Sequence, residues 1–449
     1  MSDRRAARPA VGMHPDPRQA PMNAGSASWS RRRLAKHLGV AAAAGAIGCP
    51  VPLRGQARAR VVVVGGGVAG ATCARYLAQG DPALAVTLVE EHPVYVTCFR
   101  SNYCLAGWCE LATLEHGYRG LVAAGGTLVP QRAVAIDAAS RLVRLADGGS
   151  LAFERLVVAP GIEVRTDAIP GYDAAAAERM PHAWQAGAQT ALLRRQLEAM
   201  PDGGLFVIAA PAEPYRCPPA PYERACVVAS YLTRAKPRSK ILILDAKDSF
   251  SKQALFEEAW RNHYPGMVEW VPGALGGAVT AVDAAAGTVT TAAGDVLRPA
   301  VANIVPAQRA GGIARASGLA DETGWCPIVP ATMASRLLPD IHVLGDAAIA
   351  AAMPKSAFAA NSQAKVAAMI IRSELAQAPR FPPRYRNTCW SALAPDDAVK
   401  IGANYQPSDA RLEAVDAFVS QLGESAELRR QTRAEADAWY VSIVADSFG

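Results

Sequence analysis

Short unbroken apolar runs alternate along this chain with longer stretches whose apolar positions recur at helical spacing, the pattern of buried parallel strands separated by covering helices. Val61 to Val64 is one such run; Gly65, Gly67 and Gly70 follow in the spacing G-x-G-x-x-G, and a helical stretch comes next. A second run, "AVTLVE", ends on Glu90. Glycines at those positions permit a tight turn and let backbone N–H groups approach a pyrophosphate at the helix N-terminus, while a carboxylate ending the next strand accepts hydrogen bonds from ribose hydroxyls. The order strand, glycine turn, helix, strand, acid predicts a dinucleotide site with Gly65, Gly67, Gly70 and Glu90 as contacts, rather than a merely packed turn.

The same unit returns later. "GGLFVIAAP", "YERACVVASYL" and "SKILILDAK" read as strand, helix and strand, but the intervening loop "APAEPYRCPPAPYE" has no glycine from 211 to 223. Proline donates no N–H and the side chains at 215, 216 and 222 crowd a pyrophosphate, so the repeat keeps the fold and gives up NAD(P). Cys217 stands in that loop beside prolines, and Cys326 in "ETGWCPIVP" is again followed by proline. Two such thiols on either side of the insert suggest a redox pair, with a buried structural cysteine as the bland alternative for each.

A third apolar strand, "IHVLGDAA" at 341 to 348, is closed by Gly345 and Asp346 and leads through "MPKSAFAANSQAKVAAMII" into a helix. This distant second half resembles the layout of the two-dinucleotide-fold flavoprotein disulfide reductases. The resemblance implies an α/β protein with two Rossmann-like dinucleotide-binding domains, the FAD domain interrupted by a second nucleotide-fold insert, plus a C-terminal interface domain. The expected boundaries are FAD domain 60–170, insert 171–303, FAD domain again 304–379, and C-terminal domain 380–449. It also implies that Asp346 bonds the flavin ribityl chain, a role compatible with N-capping the next helix, and it adds Lys355 as a cofactor contact.

Charge moves the picture mainly at the N-terminus. Residues 1–59 hold "SRRRLAK", an apolar stretch "LGVAAAAGAIGCPVPL" and "QARA", which together read as a twin-arginine export signal to the periplasm. Ten basic and two acidic residues fall there, a net of +8, so the remaining 390 residues carry −2 against +6 for the whole chain. The basic balance thus belongs to the signal, and nothing points to nucleic acid. No later stretch is long and apolar enough to span a bilayer.

"YVTCFRSN" at 95–102, "YRCPPAPYERA" at 215–225, "NIVPAQRAG" at 303–311, "GWCPI" at 324–328, "VLGDA" at 343–347, "PKSAFAANSQAK" at 354–365 and the tail "WYVSIVADSFG" are similar to the flavoprotein subunit of flavocytochrome c sulfide dehydrogenase. The resemblance spans essentially all of 60–449. It implies FAD bonded covalently through Cys98, a redox-active disulfide of Cys217 and Cys326, and Glu223 beside them as a proton carrier. Oxidation of sulfide follows, with electrons leaving to a separate c-type cytochrome subunit, since this chain has no C-x-x-C-H with which to attach haem. No residue set is assigned to a metal.

Sulfide:quinone oxidoreductase shares the fold and disulfide logic, and a non-turnover partner that reactivates a sulfur-carrier protein is the reading from another class. Arg100 puts a cation where the resemblance favours an apolar side chain. Cys104 and Cys109 are additional thiols close to Cys98 that can pair with each other or compete for the flavin, Cys73 and Cys226 read as core residues, and Cys389 has no assigned role. Trp390, Tyr405, Trp439 and Tyr440 are interface candidates, with core packing the commoner use.

Overall fold

The structure is a computed structural model that describes residues 59–449. Apart from Ala59, the expected export signal lies outside the described residues.

The β-branched run predicted at the start becomes the strand Arg60–Val64, the middle of a five-stranded sheet. Ala85–Val89 and then Thr127–Val129 lie on one side; Arg155–Val158 and then Ile341–Val343 lie on the other, and every pairing is parallel. Parallel strands need crossovers, and the first is the helix Val68–Gly80, which packs against the helix Ala357–Leu375 from far along the chain. One nucleotide-binding fold is therefore built from two separated segments, as the sequence pattern implies.

Between them sits a second parallel sheet, in the order Val268–Val271, Lys240–Asp245, Leu205–Ala210, Val301–Ile304. The helix Ala220–Ala235 crosses over from Leu205–Ala210 to Lys240–Asp245. The chain's two passages between the sheets are tied by an antiparallel pair, Ile162–Val164 with Gln308–Ala310.

The C-terminal segment is a three-stranded antiparallel sheet, Tyr385–Ala394, Asp397–Pro407 and Leu412–Val419, followed by the helix Ala426–Ser447. That helix returns to the first fold: the Ser447 and Thr72 hydroxyls are 2.9 Å apart, Tyr76 donates to Asp446 at 2.7 Å, and Gly120 N donates to the Phe448 carbonyl at 3.0 Å. The aromatic residues singled out as interface candidates are engaged within the chain. Tyr405 and Tyr440 are buried, and Trp439 stacks on Trp390 at 5.4 Å and on Phe358 at 6.2 Å. Aromatic area buried at home leaves less for a partner. Cys73 and Cys226 are fully buried in the helices that cover the two parallel sheets.

Candidate functional site

The glycine turn opens the first crossover helix. Gly65 has φ +99°, and a Cβ there would collide with the Ala159 carbonyl, while one on Gly70 would collide with the Gly65 carbonyl. Helix and strand thus approach as closely as only glycine allows. Gly67 occupies the helix N-cap position and offers no side-chain cap, leaving first-turn N–H groups available to an anion. Glu90 accepts from Gly66 N at 2.7 Å and from His92 N at 2.9 Å, so its carboxylate is oriented along the edge of this turn.

Asp346 follows the far strand Ile341–Val343 in a short 3₁₀ turn. Its Oδ2 lies 3.8 Å from Arg216 Nη1, and its Oδ1 is buried without a hydrogen-bond partner among the described residues. Burial pushes its carboxyl above the usual carboxylate range, against the opposing pull of Arg216 and Lys355. A buried acceptor left without a donor costs about 1–3 kcal/mol, and a cofactor hydroxyl removes that cost. Together with the uncapped helix and the glycine turn, this orphaned oxygen fits a bound flavin dinucleotide.

Lys355 reaches back over the same turn, donating to the Asp346 carbonyl at 2.8 Å and the Ala348 carbonyl at 2.9 Å, with Nζ 3.8 Å from the centre of the Trp325 ring. Burial brings its pKa down to about 8 despite Asp346 and Cys326 nearby.

Arg216 is central and was not singled out from sequence. Burial opposes its charge, but Cys98, Asp346, Tyr95 and Cys217 lie around it and hold its pKa above the ordinary value. Cys98, just after the short strand Tyr95–Val96, therefore shares one basic group with both Asp346 and Cys217. Its backbone carbonyl is held by Ser101, through N at 3.1 Å and Oγ at 2.6 Å. The Arg100 cation turns elsewhere: it pairs with Asp437 at 2.9 Å and lies 4.8 Å from the centre of the Tyr440 ring.

Cys217 has φ +58°, a left-handed conformation that a non-glycine residue holds only under constraint. The constraint is visible: its N donates to the Lys355 carbonyl at 2.8 Å and its carbonyl accepts from Ala220 N at 2.9 Å, leading into the helix Ala220–Ala235. Burial pushes its thiol up, and Cys389 is the first charge acting on it, followed by Glu223 and Cys98.

The expected Cys217–Cys326 pairing has a rival in Cys389. All eight cysteines of the described residues are free thiols, and the strongest charges acting on Cys217 come from Cys389, Glu223 and Cys98. Cys326 is fully buried in a two-residue strand, Cys326–Pro327, paired with Ala348–Ile349. Burial pushes its thiol up to about 12, and the charges acting on it are Lys355 and Asp321. The proline that suggested a rigid redox turn instead belongs to this bridging strand. Cys389, left without a role by the sequence, is the first charge acting on Cys217 and lies on the strand Tyr385–Ala394, with Asn387 Nδ2 3.3 Å from its sulfur.

Glu223, in the first turn of the Ala220–Ala235 helix, is enclosed with these thiols. Asn102 Nδ2 donates to its Oε2 at 2.8 Å and Ala392 N to its Oε1 at 3.0 Å. Burial raises its pKa, only partly countered by those hydrogen bonds and by Lys252 and Arg433. Lys252, another residue missed from sequence, donates to Ser391 Oγ at 2.8 Å and to the Cys389 carbonyl at 3.3 Å. Burial lowers its pKa against the attraction of Cys389, Glu223 and Cys217. No signal marked Lys252 or Arg216 in the sequence, because a lone basic residue in a loop is usually solvated.

At the end of the second sheet, Tyr222 stacks on Phe250 with ring centroids 3.5 Å apart. Asp245, which ends the strand Lys240–Asp245, is bonded to the Tyr222 hydroxyl, to Lys247 at 2.6 Å and to Trp270 Nε1 at 3.0 Å. The acid equivalent to Glu90 in this repeat is thus committed to protein donors.

Three family models match the chain: the central region of the sulfide dehydrogenase [flavocytochrome c] flavoprotein chain over 190–306, the flavin-binding region of flavocytochrome c sulphide dehydrogenase over 381–448, and pyridine nucleotide-disulphide oxidoreductase over 59–197. The sulfide dehydrogenase [flavocytochrome c] flavoprotein chain of Chlorobaculum thiosulfatiphilum is 58% identical over 43 residues, which is 10% of this chain and 90% of that one. A probable ferredoxin reductase of Castellaniella defragrans is 34% identical over 129 residues, 28% of this chain and 32% of that one. Among solved structures, the sulfide:quinone oxidoreductase of Aquifex aeolicus superposes with a TM-score of 0.70 at 15% identity, over 87% of this chain and 92% of that one, a likeness of fold.

Proposed function

Because the chain belongs to the flavocytochrome c sulfide dehydrogenase flavoprotein family, we propose that it oxidises sulfide with bound FAD and passes the electrons to a c-type cytochrome subunit. The observation that carries this reading is the mutual electrostatic influence of Cys217, Cys389, Glu223, Lys252 and Cys98, partly enclosed and linked through Arg216 to Asp346.

In the oxidised protein Cys217 and Cys389 are joined. Hydrosulfide attacks one sulfur of that bond, giving a persulfide on one cysteine and a thiolate on the other, with no electrons left unaccounted for. Lys252 opposes the burial that pushes the Cys217 thiol up. Glu223, whose raised pKa lets it hold a proton, delivers it to or takes it from the sulfur next to it. FAD, when bound, supplies a two-electron acceptor. Gly65, Gly67, Gly70 and Glu90 would hold its dinucleotide end, Asp346 and Lys355 its ribityl side, and Cys98 would form the thioether link, with Arg216 acting on both Asp346 and Cys98.

The occupied Asp245 carboxylate and the Tyr222–Phe250 stack support a second fold that takes no nicotinamide nucleotide. The twin-arginine segment supports export to the periplasm.

The test is anaerobic mixing of the purified flavoprotein with sulfide while flavin absorbance is followed, then addition of oxidised cytochrome c, a quinone analogue or nothing. Rapid bleaching by sulfide and recovery with cytochrome c is expected. Bleaching by NADH but not sulfide, or recovery only with the quinone, overturns the reading.

A further inference from the structure

We propose that Cys104 and Cys109 form a second thiol–disulfide couple, separate from the cysteines facing the flavin site, which closes through Cys109 by exchange with an external disulfide. The two sulfurs are 3.0 Å apart in the free-thiol protein, nearer than two unbonded sulfur atoms rest comfortably.

The chain is shaped to bring them together. Cys104 lies in the short helix Ser101–Leu105, which ends in a reversal. Ala106 N and Trp108 N both donate to the Tyr103 carbonyl, at 3.2 and 3.0 Å, Gly107 N donates to the Cys104 carbonyl at 3.2 Å, and Gly107 adopts φ +72°. A left-handed glycine after the last helical turn is the device that folds a chain back over its own helix end, and here it returns Cys109 to Cys104.

The two thiols have unlike surroundings. Cys104 is 7% exposed and packs with Leu114 and Tyr440 against the C-terminal helix, whereas Cys109, packed at the margin of the same cluster, is only half-buried. The contact with Cys104 and the nearby Arg100 charge lower the Cys109 pKa, while the same contact and burial raise that of Cys104. The less buried sulfur is thus the one placed to meet an external disulfide, which is the polarity of an attacking and a resolving thiol.

Closure balances as ordinary exchange. The Cys109 thiolate attacks one sulfur of a disulfide RSSR, giving a Cys109–SR mixed disulfide and RS⁻. Cys104, losing its proton, then displaces the second RS⁻ and forms the Cys104–Cys109 bond. Two protein thiols are oxidised, one external disulfide is reduced, and the two protons leave on the two RSH. Cys104 and Asn102 are two residues apart on one helix and so point to different faces: one is turned to the C-terminal helix, the other holds Glu223. The proposal does not depend on the sulfide chemistry.

The test uses the purified flavoprotein, reduced with dithiothreitol, desalted, and incubated with excess oxidised glutathione. It is alkylated with iodoacetamide without further reductant and digested with trypsin. The peptide 101–119 follows Arg100, ends at Arg119 and carries only these two cysteines. It is expected unalkylated and two hydrogens lighter than the dithiol, and reduction before alkylation should add two carbamidomethyl groups. In Cys104→Ser, Cys109 should stop as a mixed disulfide with glutathione; in Cys109→Ser, Cys104 should remain a free thiol. Two carbamidomethyl groups on the native peptide without reductant, or Cys109 linked to a peptide bearing another cysteine, overturns the proposal, and these wild-type results hold whether or not either variant folds.

Discussion

The Asn102 side-chain amide donates to Glu223 Oε2 at 2.8 Å, joining the helix behind Cys98 to the helix behind Cys217. Arg224 in turn donates to Asn102 Oδ1 at 3.0 Å, and the strand carrying Cys389 supplies Ala392 N to the other Glu223 oxygen. Three segments distant in sequence thus share one carboxyl group, and its proton is set by all of them.

Replacing Glu223 by Gln should lower kcat/KM for sulfide by about 100-fold, the usual size of a lost proton carrier. Because burial raises the Glu223 pKa, its protonated form persists above the ordinary carboxylate range and is lost as pH rises through the raised value. The pH profile of kcat/KM should therefore lose that limb in Glu223→Gln. An unchanged profile would exclude Glu223 as the proton carrier.

Cys217→Ser and Cys389→Ser should each reduce sulfide-dependent flavin bleaching by about a thousandfold or more, since either removes the disulfide that is attacked. Cys326→Ser should bleach at close to the native rate while losing roughly 1–3 kcal/mol of stability from a hydroxyl buried in an apolar strand. Stopped-flow absorbance and urea unfolding read the two effects. Loss of bleaching in Cys326→Ser with a normal Cys389→Ser would restore the pairing first expected.

Cys98→Ala should bind flavin but release it on acid precipitation, whereas the unaltered chain should keep its yellow colour in the pellet. Colour that leaves both proteins alike would refute the thioether.

His182 and His342 are buried, and burial lowers the pKa of each to about 4, with Arg224 and Arg155 respectively adding to the effect. Folded pKa values depressed below 6.5 mean that the unfolded chain takes up these protons first as pH falls. Stability should then be full above pH 6.5 and decline towards pH 4, by about 3 kcal/mol for each histidine. Neither ring nitrogen of His342 has a hydrogen-bond partner among the described residues, so His342→Leu should be nearly neutral at pH 7 and decline less on acidification. Urea midpoints at pH 7, 5.5 and 4 check this; parallel declines in both proteins would count against it.

The glycine turn, Glu90 and the repeated strand–helix–strand unit were legible because each depends on residues near one another in the chain. Gly65 and Gly70 are needed for a close approach that any side chain blocks, and Asp346 stands at a strand end, a position that periodicity locates. Cys217 was legible as constrained, since its prolines are its neighbours. The rival to its expected partner was not legible: Cys326 carried the more suggestive local context, a following proline, and that proline also serves a bridging strand.

By itself, then, the sequence determined the two nucleotide-fold repeats, the turn chemistry of the first and its loss in the second, because φ preferences, missing N–H groups and hydrophobic period act over a few residues. The tertiary structure alone set Cys389 where its charge acts on Cys217, brought Lys252 and Arg216 to the same thiols, and engaged the C-terminal aromatics in packing within the chain. Those outcomes follow from the antiparallel strand Tyr385–Ala394 lying against the helix Ala220–Ala235, a contact between remote segments whose apolar faces had no local mark of which partner each would bury against.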